Sequence, residues 1–114
     1  MENQQNSILK IYASTTDKID TRLLYEFIVF KAQEEGISGV SVFRGIMGYG
    51  SSSKISSSQY WEMNEKLPVV VELIDKTEQI ERFFKKIKPD LMNMSKGCLV
   101  LIEPTTILLQ KSGK

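Results

Sequence analysis

Histidine is absent from this 114-residue chain. Its absence removes histidine-based metal sites, Ser-His-Asp triads and Cys-His dyads as sources of chemistry. Cysteine is nearly absent: Cys98 stands alone, so no internal disulfide can form. Net charge is small as well. The 15 basic and 14 acidic side chains leave a formal +1, which excludes a global field that would recruit nucleic acid or an anionic membrane surface. Any anion site must therefore be local. No apolar run approaches the roughly 20 residues a bilayer-spanning helix needs. The opening MENQQNSILKIY has no basic region followed by a long apolar one, which points to a cytoplasmic chain. What nucleophiles and carboxylates remain read as structural. Glu34 and Glu35 are neighbours on a predicted helix and point in different directions, and Cys98 sits in an apolar strand pattern as a small core residue. The expectation is a protein without catalysis and without a cofactor.

What is present is an alternation of two periodicities. Ser7 to Ala13 places Leu9, Ile11 and Ala13 on one face at period two, which predicts a strand. Asp20 is placed to cap a helix over TRLLYEFIVFKAQEE, whose Leu23, Leu24, Phe27, Ile28 and Phe30 share one arc and which stops at Gly36. Gly39 to Ile46 and Pro68 to Asp75 return to strand patterns. Asp75 is placed to cap a second helix carrying Ile80, Phe83, Phe84 and Ile87, ended by Pro89. Gly97 to Gln110 is extended and apolar, with Pro104 marking a bend, bulge or sheet edge and with room for a fifth strand. The order is that of an α+β, ferredoxin-like βαββαβ sandwich: two helices on one face of an antiparallel sheet, and a long flexible loop between strands 2 and 3. A single domain over residues 7–111 is expected, between a disordered tail at 1–6 and a short one at 112–114. Two helices cover only one face of such a sheet, yet VVVEL and CLVLI are apolar on both sides, so a homo-oligomer packed through the other face is the expected assembly, the alternative being a monomer whose second face is half-exposed with scattered apolar residues.

GISGVSVFRGIMGYG, the polar stretch after it, LPVVVELID and a helix reaching IKPD together resemble the DUF190 proteins of bacteria and archaea, a group of unknown function with a PII-like ferredoxin fold. The resemblance runs from about Ile8 to Gln110, and RGIMGYG is its most specific part. A more distant similarity is to the PII nitrogen-signalling proteins. There Gly48-Tyr49-Gly50 is similar to the GFG that opens the long T-loop, and LVLIEPTTILLQKSG is similar to the last strand and tail. The resemblance implies a homotrimer that binds a nucleotide or related small anion in clefts between subunits. It also implies that residues 47–61 contact a membrane transporter, a channel or an enzyme. Ser41 would meet a base and Lys96 a phosphate, each alternatively being a solvated surface residue. Gly97 and Lys111 would approach from a neighbouring subunit.

Residue chemistry at the strand exit is compatible with that picture. Gly45, Gly48 and Gly50 can bring backbone N–H groups close to an anion, and Arg44 adds a fork of donors suited to phosphate or carboxylate. The alternative is that the glycines only shape the turn and Arg44 pairs with a glutamate across the sheet. Tyr60 and Trp61 read as hydrophobic anchors closing the loop base.

Departures from the PII pattern bear on which ligand is read. In MNMSKGC, Ser95 and Cys98 stand where PII proteins have a glycine and a phosphate-binding lysine. Leu109 replaces one tail arginine, and Lys111 replaces the other with a point charge in place of a bidentate fork. Ser52 takes the place of the glutamine used for 2-oxoglutarate, and no tyrosine sits at the loop tip. These changes argue against ATP and 2-oxoglutarate sensing of the PII kind. A second functional reading, from a different class, is a structural or adaptor oligomer with no small-molecule site. SSSKISSS has no apolar periodicity with which to dock, so limited proteolysis of the free protein is expected to cut first within residues 51–59. Peptide mapping by mass spectrometry checks this; uniform resistance there would remove the mobile arm from the sensor reading.

Overall fold

The structure is a computed structural model, and it describes residues 5–50, 55–57 and 66–113. The serine-rich stretch at 51–54, the anchors Tyr60 and Trp61, and the region expected to be cut first, apart from residues 55–57, lie outside the described residues. Ten elements follow one another: β1 (Asn6–Ser14), β2 (Lys18–Ile19), β3 (Arg22–Leu23), α1 (Leu24–Glu34), β4 (Gly39–Arg44), β5 (Met47–Gly48), β6 (Ser56–Ser57), β7 (Pro68–Lys76), α2 (Thr77–Asn93) and β8 (Leu99–Thr105). Four of the strands form one antiparallel sheet in the order β4-β7-β1-β8. β2 with β3, and β5 with β6, make separate two-stranded ribbons. The ferredoxin-like sandwich is therefore the architecture. Pro104 falls within β8, an edge strand, where its missing N–H costs no ladder bond, and residues 106–110 add no fifth strand.

The core lies between one sheet face and the helices. Period-two alternation sends Leu9 and Ile11 of β1 and Val69, Val71 and Leu73 of β7 to that face, all buried. α1 answers with Leu24, Ile28 and Ala32, and α2 with Ile80, Phe83, Ile87 and Leu91, each set a single helical stripe. Among the described residues no helix is long and apolar enough to cross a membrane.

Four local expectations are corrected. Asp20 does not cap α1, which begins after Leu23 with no side-chain cap; Asp20 sits in the two-residue turn of the β2–β3 ribbon at φ 56°, a left-handed position that aspartate tolerates. Asp75 does not cap α2. Its Oδ2 accepts the Ser38 N–H at 3.0 Å and its Oδ1 the Lys76 N–H at 2.7 Å, so it ties the start of β4 to the end of β7. Pro89 does not end α2, which continues to Asn93. Its exposed position lets the carbonyl it orphans face solvent, and burial of Leu91 two residues later, together with the rest of the stripe, outweighs a local cost of about 3 kcal/mol. Phe30 is outside the core, with the Arg22 guanidinium 4.8 Å from its ring centroid.

Phe83 is the largest side chain fully buried in this core. Phe83→Ala is expected to lower the unfolding free energy by about 3–5 kcal/mol through the cavity it leaves. Urea titration, read as a lower midpoint at unchanged slope, checks it.

Candidate functional site

The site residues proposed from sequence fall into three groups. Strand β4 carries the first. Ser41 is on the sheet face away from the helices, in a cross-strand row with Glu72, Lys10 and Leu101. Arg44, three residues on, is level with Val69 and points to the helix side, so the two do not share a face. Arg44 is exposed and has no ion-pair partner among the described residues, which removes the expected alternative of a cross-sheet glutamate within that set.

The glycines after Arg44 have a different partner from the one expected. Gly45 donates its N–H to the Pro68 carbonyl at 2.7 Å. A Cβ at Gly45 would come within 2.8 Å of the Pro68 Cγ, and one at Gly48 within 3.3 Å. Gly48 also pairs with Ser56 in the β5–β6 ribbon. Neither adopts a positive φ; among the described residues Gly36, at 77°, is the glycine that does. These two glycines are there so that the chain can lie against a proline ring, and the Gly45 N–H is already committed. Among the described residues, the Arg44 guanidinium is a donor without an ion-pair partner at this exit, Tyr49 is exposed and Gly50 stands in open space. No local signal reveals the role of Pro68, since it meets Gly45 only through the β4–β7 pairing. Around Arg44 the exposed side chains are apolar: Phe43, Ile46, Met47 and Tyr49.

The second group is Lys96 and Gly97, both exposed, in the connection from α2 to β8. Lys96 lines an open cleft of about 570 Å³ with Thr16, Lys18, Asp90 and Asn93. Asp17 closes its floor. It is buried, its Oδ2 accepts the Ser14 N–H at 2.9 Å, and its carbonyl accepts the Leu24 N–H at 2.8 Å, so it holds the turn that leads into α1. Cys98 is exposed and not a core residue, because the chain reaches the sheet only at Leu99. Packing around its thiol, and secondarily the Asp17 carboxylate, push its pKa up, opposite to what a nucleophile requires. The third group is Lys111, in the exposed tail beyond β8.

These groups do not meet within the chain. β4 and β8 are opposite edges of the sheet, three strand spacings or roughly 14 Å apart. Arg44 and Gly97 share one end of it, whereas the tail leaves β8 at the other, where Thr105 is opposite Asn6; along the strands that is roughly 24 Å from the Arg44 level.

Among the described residues, no element covers the sheet face that carries Ser41. Its rows read Phe43, Val70, Tyr12, Leu99; then Ser41, Glu72, Lys10, Leu101; then Gly39, Ile74, Ile8, Glu103. A diagonal ion pair crosses them, Lys10 Nζ to Glu103 Oε1 at 3.3 Å, and the hydrogen bond to Glu103 raises the Lys10 pKa. On the helix side Lys86 Nζ lies 2.9 Å from Glu35 Oε1 and lowers the Glu35 pKa.

Two helices on one face of a β4-β7-β1-β8 sheet, with a long connection between β4 and β7, make the ferredoxin-type fold seen in PII-like proteins. Solved structures agree. A Thermus thermophilus protein described as PII-like and signaling aligns with a TM-score of 0.63 at 15% identity over 89% of this chain and 87% of its own. CPII of Thiomonas intermedia K12, a nitrogen regulatory PII-like protein bound to ADP, AMP and bicarbonate, aligns with a TM-score of 0.60 at 16% identity over 89% and 88%. The chain belongs to the DUF190 family, described as Uncharacterized ACR, whose profile matches residues 6–107. A UPF0166 protein of Aquifex aeolicus is 36% identical over 84 residues, 74% of this chain and 80% of its own. One of Methanocaldococcus jannaschii is 36% identical over 86 residues, 75% and 79%.

The Gly45–Pro68 contact generates a test of its own. Gly45→Val places branched carbon against the ring and is expected to cost about 1–3 kcal/mol of stability, as overpacking does. Chemical denaturation of the variant, with Gly50→Ala as the control in open space, checks it.

Proposed function

We propose that this protein is a PII-like, ligand-responsive regulatory protein without catalytic activity. It assembles as a homotrimer, binds a nucleotide or another small phosphate-bearing anion at clefts between subunits, and contacts a partner protein through residues 47–61. The observation that carries the reading is the placement of Arg44: an exposed cation without an ion-pair partner among the described residues, at the root of the connection that distinguishes this class of fold. The fold neighbour CPII is bound to ADP, AMP and bicarbonate, all anions, which supports a phosphate or carboxylate class of ligand here. Separation of Arg44 from Lys96, Gly97 and Lys111 within the protomer supports a site shared between subunits. The sheet face away from the helices supports the trimer, because the row Phe43, Val70, Tyr12, Leu99 would lose its contact with water if subunits associated through it. Ser41, Gly48, Tyr49 and Gly50 would form the wall of the cleft on one subunit. Gly97, Lys96 and Lys111 would be offered by its neighbour.

The test begins with a thermal-shift screen of adenine nucleotides, cyclic nucleotides and small anions, since binding to the folded state raises the melting temperature. Isothermal titration with whichever phosphate-bearing compound stabilises the protein is then expected to show Arg44→Ala weakened by about 1.5–3 kcal/mol, or roughly 10- to 150-fold, from loss of a charge-assisted hydrogen bond. Equal affinity of R44A and wild type would move the site elsewhere. If no compound binds, the adaptor reading replaces the sensor.

A further inference from the structure

We propose that the cleft at the C-terminal end of α2 binds a small zwitterion, a free amino acid by chemical class, through its ammonium and carboxylate groups. The site lies within one chain and needs neither a second copy nor a phosphate. Its floor is the observation that points to a ligand. Asp17 is only 6% exposed, yet its two carboxylate oxygens are used unequally: Oδ2 accepts the Ser14 N–H at 2.9 Å, and Oδ1 has no hydrogen bond among the described residues. Among those residues no side-chain nitrogen or oxygen sealed from solvent lacks a partner, so Oδ1 meets water, and the water that Asp17 borders is in the cleft. A charged oxygen in so enclosed a place, with its lone pairs unmet, calls for a cationic donor.

The surroundings of the floor have the same sign. Asp90, Asn93 and Met94 also line the cleft, so it sits where the last carbonyls of α2 lack helical partners and the helix dipole is negative. No basic side chain in the last turn of α2 offsets that end, and Asp90 adds a carboxylate to it. Among the described residues no three carboxylate or thiol side chains are grouped to hold a metal ion, whereas an ammonium asks only for acceptors for its three N–H donors. The rim adds the other sign. Lys18 of β2 and Lys96 of the α2–β8 connection face the same cleft from its two walls, both exposed and neither paired with a described carboxylate, although Lys10, Lys31 and Lys86 all find glutamates. An acidic floor beneath a basic rim matches a molecule that carries both charges and repels a phosphate from the floor. The cleft, at about 570 Å³, is of the size that small-molecule sites have. Lys96 is the one residue shared with the phosphate site proposed above, so Asp17 and Lys18 carry the test.

The full-length protein, isotope-labelled and free of nucleotide, is titrated with each common L-amino acid and followed by NMR. At least one is expected to shift, saturably, the amide signals of Ser14 and Leu24, whose N–H groups bond to Asp17. The matching amine without the carboxylate, and the matching acid without the ammonium, are each expected to bind at least about tenfold more weakly, from loss of a charge-assisted contact. Asp17→Asn keeps an oxygen for the Ser14 N–H but removes the charge, and is expected to weaken binding by about tenfold or more. Lys18→Gln, at an exposed position, is expected to weaken it about two- to fivefold and gives the answer if D17N does not fold. The proposal is overturned if no amino acid moves Ser14 and Leu24, if the amine alone binds as tightly as its amino acid, or if either folded variant binds like wild type. Neither Arg44 nor a nucleotide enters the experiment, so a failed nucleotide screen leaves this result intact, and the reverse.

Discussion

The structure depends on the nine-residue antiparallel pairing of β1 with β7, from Asn6 opposite Lys76 to Ser14 opposite Pro68. These are the two central strands, and their shared register sends Leu9, Ile11, Val69, Val71 and Leu73 to one side together. A one-residue slip would turn that whole set outward. Both ends of the pairing are clasped. At one end Thr15 and Leu67 exchange hydrogen bonds, Thr15 N–H to the Leu67 carbonyl at 2.9 Å and Leu67 N–H to Thr15 Oγ1 at 3.1 Å. At the other, Ser7 Oγ and Thr77 Oγ1 lie 2.6 Å apart and the Thr77 N–H reaches the Gln5 carbonyl at 3.0 Å. Everything with functional potential is hung from this ladder: β4 on the far side of β7, and β8 on the far side of β1.

That arrangement divides the molecule's chemistry in a particular way. The interior is conventional and polar groups there are satisfied; among the described residues no buried side-chain nitrogen or oxygen lacks a hydrogen bond. Among the described residues the unmet demands lie at the periphery, in a sheet face with no element over it, a β4 edge with no strand partner, an exposed tail and an arginine without a counter-ion. The ion pair Lys10–Glu103 and the neighbouring Glu72 and Ser41 lie in the middle of the uncovered face, where they supply polarity that limits how other surfaces can pack on it.

Much of the fold was legible because it rests on short-range periodicity. β1, β7 and the stripe Ile80, Phe83, Ile87 follow directly from spacing, and the helix-over-sheet architecture follows from their order. Errors arose where tertiary contacts override local chemistry. Asp20 and Asp75 carry the right side chain for a helix cap and stand near helix starts, but one is used by a ribbon turn and the other by Ser38, 37 residues away in sequence. Pro89 has the properties of a stop, yet Leu91 beyond it is drawn into the core. Phe30 fits the apolar arc by angle, and its exposure reflects how far α1 rolls toward Leu24, Ile28 and Ala32. At the candidate site the sequence marks Arg44 and the glycines as a cluster but cannot show that Pro68 lies beneath two of those glycines. That fact belongs to strand pairing.

The seating of Gly45 on Pro68 carries a consequence for how the family can vary. The two positions act as one steric unit: a methyl group at 45 would stand 2.8 Å from the Pro68 Cγ and force the ring or the chain to shift, and the carbonyl that takes the Gly45 N–H belongs to the same proline. Replacement of the ring by a smaller side chain would release the constraint on its partner. What position 45 can hold is therefore decided in β7, by the side chain that strand pairing sets beneath it.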